Sequence, residues 1–326
     1  MTSTEETSSP STTAPGKIGT VHLYDAVDQA ELEHALAERL VNRQTHPSEP
    51  LAILNYSKIC PIVPGAWNRT TRACRGLIYN TDTLEVVARG WPKFYNHDQE
   101  GAPVIPLDAS VLVTDKQDGS LGIIYPLPSG GWAVATRGSF ASDQALHASE
   151  VFRTRYGWYR PSPTLTTLVE ILYPANRIVL DYGTLDDLVL LGGQPLDGGR
   201  PIPPASMQAV SGWTGPVTDT LFVGTYAEAL ELPSRPDREG VVVHNLLTGD
   251  LVKIKEAEYV KLHRIVTGLN ARTVWQHLVD GLPINDLIAP LPDEFHAWVR
   301  QTAANINRAV ALEAQRLGAE FAKVVD

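Results

Sequence analysis

The chain has 326 residues, 43% of them hydrophobic and 20% charged, with a formal net charge of −10. That is the make-up of a globular protein with material for one large or two modest cores. The acidity excludes a broad electrostatic grip on nucleic acid but leaves room for a local basic groove. No run approaches the roughly 18 apolar residues of a membrane span, and the first residues lack the basic start and apolar core of a signal peptide. The two cysteines, Cys60 and Cys74, have no metal-ligand spacing and read as free thiols, which points to a reducing, cytoplasmic setting.

Taken in chain order, residues 1–17 are Ser, Thr, Pro and Glu with almost no large apolar groups, so a disordered tail is expected. Residues 25–46 predict a helix with Asp25 or Asp28 as cap and Leu32, Leu36 and Leu40 on one face. Leu51 to Tyr56 predicts a strand. From Arg75 to Arg160, short β-type runs (GLIYN, LEVVARG, SVLVTD, LGIIYPL, GWAVATRG) alternate with Gly, Pro and Asp turns, and a helix is expected over 141–157. Strands return at TLVEIL, RIVLDY and LVLLGG. The proline-rich PIPPAS cannot join a central strand. VVVHN and LVKIK form a hairpin around Thr248-Gly249-Asp250. After Glu256 the pattern turns helical, with Phe295, Val299, Thr302, Ile306, Val310, Ala314, Leu317, Phe321 and Val324 at spacings of three and four. The prediction is an α+β body over 18–256, with an antiparallel sheet core and flanking helices, followed by a small all-helical domain over 257–326.

The stretch TDKQDGSLGIIY, residues 114–125, organises the reading. A buried strand leads in, Asp118-Gly119 turns sharply, and a second strand leaves, so Lys116 stands at a loop edge between two strands. A deprotonated lysine amine can attack phosphorus. Most Lys-x-Asp-Gly runs are plain hairpin turns with a solvated lysine, so other segments must supply what a nucleophile needs. Glu170 interrupts an apolar strand. Glu239 precedes Gly240. Lys253 and Lys255 alternate along one strand and share a face. Arg75 and Lys93 lie upstream, where each reads equally as a surface charge.

Together these segments resemble the covalent nucleotidyltransferase superfamily, and in detail the phage-type ATP-dependent RNA ligases of the RNA ligase 1 class. KQDGS resembles the nucleophile motif, VEILYPANRIVLDY the extended third motif, REGVVV the fourth and VKIKEAEYVKLH the fifth. RGLIYN and PKFYN resemble N-terminal signatures that DNA ligases and capping enzymes lack. The likeness spans about residues 50 to 265.

The resemblance implies an ATP-grasp-like ligase core. It implies ATP-dependent joining of RNA 5′-phosphate and 3′-hydroxyl ends, through a lysyl-AMP and an adenylylated RNA, in RNA or tRNA repair by a monomer. It makes Lys116 the nucleophile and Lys253 and Lys255 its catalytic partners. ATP would be bound by Arg75, Lys93, Gly119, Arg137, Glu170, Gly240 and Tyr259, with Tyr56 a weaker correspondence. Asp118, Glu170 and Glu239 would surround a magnesium ion, or manganese in its place, through water. Where the family tends to carry an acidic pair in its C-terminal domain, this chain has Asn285-Asp286. The competing readings are a DNA ligase or capping enzyme on the same fold, which would append a five-stranded barrel after the fifth motif, and a non-catalytic RNA-binding protein.

Overall fold

The computed structural model describes residues 20–60, 63–288 and 293–325, so the expected tail over 1–17 lies outside them. Two short helices open it, α1 (Leu23–Ala26) and α2 (Gln29–Ala37), the second capped by Asp28, whose carboxylate accepts from the Glu31 amide at 2.9 Å. The single helix expected over 25–46 therefore stops early. Arg39 takes a left-handed φ of 56° and reverses the chain, and β1 (Val41–Thr45) follows. Leu32 and Leu40 are still buried in one cluster, so the leucine spacing marked the right core and the wrong length of helix.

Next come β2 (Leu51–Tyr56), α3 (Arg69–Ala73), β3 (Arg75–Asn80), β4 (Val86–Arg89) and the two-residue β5 (Tyr95–Asn96). Then follow β6 (Ser110–Asp115), β7 (Ser120–Pro126), β8 (Trp132–Thr136), α4 (Asp143–Arg155), β9 (Leu165–Leu172) and β10 (Asp187–Pro195). The body closes with α5 (Pro204–Ser211), β11 (Thr220–Thr225), α6 (Tyr226–Leu230) and the hairpin of β12 (Gly240–Asn245) and β13 (Leu251–Lys255). Four helices end the described chain: α7 (Ala257–Gly268), α8 (Ala271–Val279), α9 (Ile284–Ile288) and α10 (Asp293–Val325).

The strands form three sheets, ordered β1-β2-β3-β4, β10-β9-β7-β8 and β11-β6-β12-β13-β5. Their pairings are antiparallel except β13 with β5. The first two sheets pack face to face, and the period-two alternation of their strands shows why both faces are apolar. Leu51 and Ile53 of β2, Ile78 of β3, Ile123 and Tyr125 of β7 and Leu168 of β9 fill the space between them. Ala52 and Leu54 point outward to α1 and α2, while Ile124, Val169 and Ile171 point to α4 and α5. The third sheet buries Val111, Val113, Val241 and Val243 against α6. The terminal helices keep a small core of their own around Val274, Ile288, Val299 and Ala303.

Two expected local features change in the fold. The strands on either side of Lys116 do not pair with each other: β6 belongs to the third sheet and β7 to the second, so residues 116–119 cross between sheets. RIVLDY is not a strand. It follows a 3₁₀ turn at Pro174–Asn176 as irregular backbone, because the Val179 and Leu180 amides are spent on the Asp118 carboxylate and not on a ladder.

Candidate active site

Lys116 is fixed first through its backbone. Its amide donates to the Gly240 carbonyl at 3.0 Å, extending the β6–β12 ladder by one step. Gly240 has φ of 141°, and a Cβ there would collide with the Ile254 carbonyl on β13. Only glycine lets the two strands approach so closely at this point. That approach sets Glu239, just before β12, between two lysines. Its Oε2 lies 2.7 Å from Lys116 Nζ and its Oε1 lies 2.9 Å from Lys255 Nζ. The Glu239 side chain is 5% exposed and that of Lys116 is 21% exposed, so the amine alone reaches the open space in front of it.

The crossing segment 116–119 is held on its other side by Asp118. One of its oxygens accepts from the Val179 and Leu180 amides at 2.9 and 2.8 Å, and the other from the Tyr259 hydroxyl at 2.6 Å. The Tyr182 hydroxyl accepts from the Asp118 amide at 2.8 Å. Tyr259 sits at the start of α7 and is buried, so the first turn of the helical region is tied to the Lys116 loop. Glu170 of β9 accepts from the Gly119 amide at 3.0 Å. Burial, with Glu239 and Asp118 nearby, outweighs the pull of Lys116 and the Gly119 amide, and its carboxyl is pushed up to about 7.

In front of Lys116 opens a cavity of about 480 Å³, also lined by Arg75, Arg137, Glu170 and Lys253. Its cations lean on aromatic rings. The Arg75 guanidinium and the Lys253 ammonium lie 5.6 and 5.0 Å from the Phe94 ring centre, and Arg137 lies 4.8 Å from that of Tyr56, whose hydroxyl also accepts from it. Lys93 stands behind this wall, 4.6 Å from the Tyr95 ring centre. Among the described residues, none of these four cations forms an ion pair with a carboxylate. Burial first, then crowding by Lys93, Lys116, Arg75 and Lys255, brings the Lys253 amine down to about 6. Burial, Arg75, Arg137 and Lys255 bring Lys93 down to about 8. Three half-buried cations and the exposed Arg137, in short supply of anions, make a site that favours a polyanion.

A divalent metal finds a partial fit. Among the described residues no cluster of three His, Cys, Asp or Glu side chains is arranged to hold an ion. Asp118 has already accepted three hydrogen bonds, whereas Glu170 accepts one from the Gly119 amide and Glu239 faces Lys116 and Lys255. Two carboxylates suit a magnesium ion that keeps much of its water.

The residues singled out from sequence thus come together, with two qualifications. Asp118 braces the loop, and Lys93 lines a neighbouring cavity and reaches the site only through its charge. Tyr182, Phe94 and the pair Arg235 and Arg238 have no role in the sequence reading. Both arginines bind the buried Asp115 just before Lys116, at 3.0 and 3.4 Å. An acidic residue ending a buried strand beside Lys116 was the available signal.

Comparison with known proteins agrees with this geometry. The fold is a mixed α+β architecture that solved structures share. A putative ATP-dependent DNA ligase from Aquifex aeolicus shares it, at 16% identity over 87% of this chain and 74% of that one, with a TM-score of 0.51. An archaeal ATP-dependent RNA ligase is 17% identical over 87% of this chain and 76% of that one, with a TM-score of 0.49. Naegleria gruberi RNA ligase, solved with PPi, is 20% identical over 48% of this chain and 52% of that one, with a TM-score of 0.38. Residues 73–192 match the family model described as RNA ligase, a stretch that includes Arg75, Lys93, Lys116, Arg137 and Glu170. Comparison with curated proteins finds no significant match.

Proposed function

We propose that the protein is an ATP-dependent RNA ligase that works through a lysyl-AMP intermediate on Lys116. The observation that carries the reading is the convergence of the Lys116 amine with Arg75, Arg137 and Lys253 on one cavity, part of whose lining falls in the stretch matched by the family model described as RNA ligase. In the first step the Lys116 amine attacks the α-phosphorus of ATP. A P–N bond forms, the P–O bond to the β-phosphate breaks, and pyrophosphate leaves. Glu239 holds the amine in place and is the nearest group to take its proton, at 2.7 Å. Lys253, protonated once a polyphosphate is bound beside it, balances charge gathering on the α-phosphate in a site shielded from water. Arg75, with Lys93 behind it, orients the pyrophosphate in line with the attack. Arg137 lies on the same cavity wall.

The AMP then passes to an RNA 5′-phosphate, and a 3′-hydroxyl displaces it to seal the strand, chemistry suited to repair of broken RNA, tRNA included. Glu170 and Glu239 are the residues that would hold a magnesium or manganese ion through water, and such an ion adds positive charge at the phosphates when bound. Asp118 and Tyr259 act as positioning residues for the Lys116 loop. Among the described residues the segment after β13 is helical, which supports the RNA ligase reading over a DNA ligase or capping enzyme with an appended barrel.

Incubating the protein with radiolabelled ATP tests the reading. The wild type takes label covalently, GTP gives none, and Lys116→Ala takes none while keeping its circular dichroism spectrum. A folded Lys116→Ala variant that labels normally would refute the assignment.

A further inference from the structure

A second cavity, of about 670 Å³, lies apart from the one in front of Lys116. It lies on the other side of the segment 92–95, and Phe94 lines both. Five cations line it, Arg69 and Arg72 of α3, Arg89 of β4, Lys93 and Arg200, against two carboxylates, Asp197 and Asp250. On a chain of net charge −10 this is a local reversal of sign. Nothing in the reaction at Lys116 requires Arg69, Arg72, Arg89 or Arg200.

Two side chains on its wall have polar atoms left over. Arg89 is 4% exposed; one of its terminal nitrogens donates to the Leu196 carbonyl at 3.1 Å, and its Nε has no partner. Gln194 is 1% exposed; its amide nitrogen donates to the Pro195 and Gly199 carbonyls at 3.3 and 2.8 Å, which turns its oxygen away from both and leaves it unpaired. Buried polar groups without partners are costly. Contacts to a ligand fall to the exposed Arg69, Arg72 and Arg200, since both atoms are sealed behind the wall. The loop behind them is closely fitted, since a Cβ on Gly198 would lie 3.0 Å from an Arg89 nitrogen.

The remaining lining is flat and apolar: Pro92, Phe94, Tyr95, Pro103 and Pro201. Arginines for phosphate beside rings and prolines for a base are the pattern of single-stranded nucleic acid binding. The cavity also lies in register with the catalytic end. Leu251 lines it at one end of β13, Lys253 lines the cavity in front of Lys116, and Lys255 closes the strand beside Glu239. At the usual rise of a strand, Leu251 and Lys255 are roughly 13 Å apart.

We propose that this second cavity binds the RNA strand being sealed, with backbone phosphate on Arg69, Arg72 and Arg200 and a base against the Phe94 wall, a short distance from the end that reacts at Lys116. The proposal rests on the RNA ligase reading for the identity of the strand.

The test uses the full chain and a fluorescein-labelled, 5′-phosphorylated single-stranded RNA, with ATP absent and binding followed by anisotropy over a range of salt. Arg72→Glu and Arg200→Glu change exposed residues and should each weaken binding about tenfold or more, and should flatten the salt dependence by about 0.7 in slope per lost phosphate contact. Arg153→Glu, on the exposed face of α4, should leave affinity at the wild-type value. Labelling by ATP should be unchanged in all three. Wild-type RNA affinity in both Arg72→Glu and Arg200→Glu, or an equal loss in Arg153→Glu, would overturn the site. Displacement of the RNA by pyrophosphate in the wild type alone would reassign the cavity to free polyphosphate. A wild type that takes no label from ATP yet binds RNA through Arg72 and Arg200 would sink the ligase reading and leave the cavity standing.

Discussion

The loop around Lys116 and the last helix, α10, are opposites in how their side chains are used. Around Lys116, Glu239 is shared by two lysines, Asp118 accepts three hydrogen bonds and Glu170 accepts one from the Gly119 amide. The ends of β6, β9, β12 and β13, the irregular segment at Val179 and Leu180 and the start of α7 converge to make those contacts. Along α10 the apolar spacing is regular, but only its first half is covered. Val299 and Ala303 are buried and Ile306 packs beside them, while Val310, Leu317 and Phe321 are 60%, 53% and 70% exposed. The side chains of Phe295 and Val324 lie outside those described. A spacing of three and four says which side chains share a face, not whether anything covers that face. A cluster of charges, by contrast, is held only where partners exist to offset its desolvation.

The comparison is broken most severely by emptying the shared position. Glu239→Ala leaves Lys116 and Lys255 facing each other without a carboxylate. The rate of lysyl-AMP formation should fall by about 10²–10³-fold, the usual worth of one electrostatic group at such a site. Single-turnover labelling at limiting magnesium measures this, and an unchanged rate would remove Glu239 from both the proton and the metal roles.

A more selective break separates the cations from the nucleophile. Arg75→Ala and Lys93→Ala should slow ATP-dependent ligation strongly and sealing of pre-adenylylated RNA little, because pyrophosphate has already left in the second assay. Measured side by side, equal losses would mean that Arg75, which donates to the Trp91 carbonyl at 3.2 Å, serves mainly to brace β3 against the following segment.

The third prediction concerns protons. With its amine near 6, Lys253 is largely neutral at pH 7.5 in the ligand-free protein. A bound polyphosphate favours the ammonium and raises that value, so binding ATP should take up a proton. Because the folded value is depressed, charging Lys253 costs folding free energy below the ordinary lysine range. Its share of stability should therefore improve as pH rises from about 6 toward that range. Calorimetry in buffers of different ionisation enthalpy should register the uptake in wild type and a smaller one in Lys253→Met. No difference between the two would contradict the neutral amine.

The smallest effect is expected at the far end of the molecule. Ending the chain after Ala309 removes the exposed half of α10 and none of the buried cluster, so lysyl-AMP formation should change less than twofold. A large loss in the same labelling assay would show that the uncovered stripe communicates with the Lys116 loop.

Much of the architecture was legible from local pattern. Strands β2 to β4, β6 to β10 and the β12–β13 hairpin stand where alternating or continuous apolar runs lie between turn residues, since a strand buried on both faces must be apolar throughout. The short strands β1, β5 and β11 were not legible. β1 is exposed along four of its five residues, and β5 exists only because β13 offers it an edge. Lys116, Glu170, Glu239, Lys253 and Lys255 were legible as residue types in an order that resembles a known family, and Lys253 and Lys255 as neighbours on one face.

By itself, then, the sequence marked most of the strands, which residues carry charge inside them, and that the chain turns helical after Glu256. Only the tertiary structure decided that β6 and β7 part into different sheets and that RIVLDY gives its amides to Asp118. It also decided that Glu239 stands between Lys116 and Lys255, and that half of the α10 stripe faces outward. The physical reason is common to all four. Local sequence fixes periodicity and turn chemistry over a few residues, whereas pairing, desolvation and cover depend on groups brought together from separate segments, as Asp118 is with Val179 and Glu239 with Lys116.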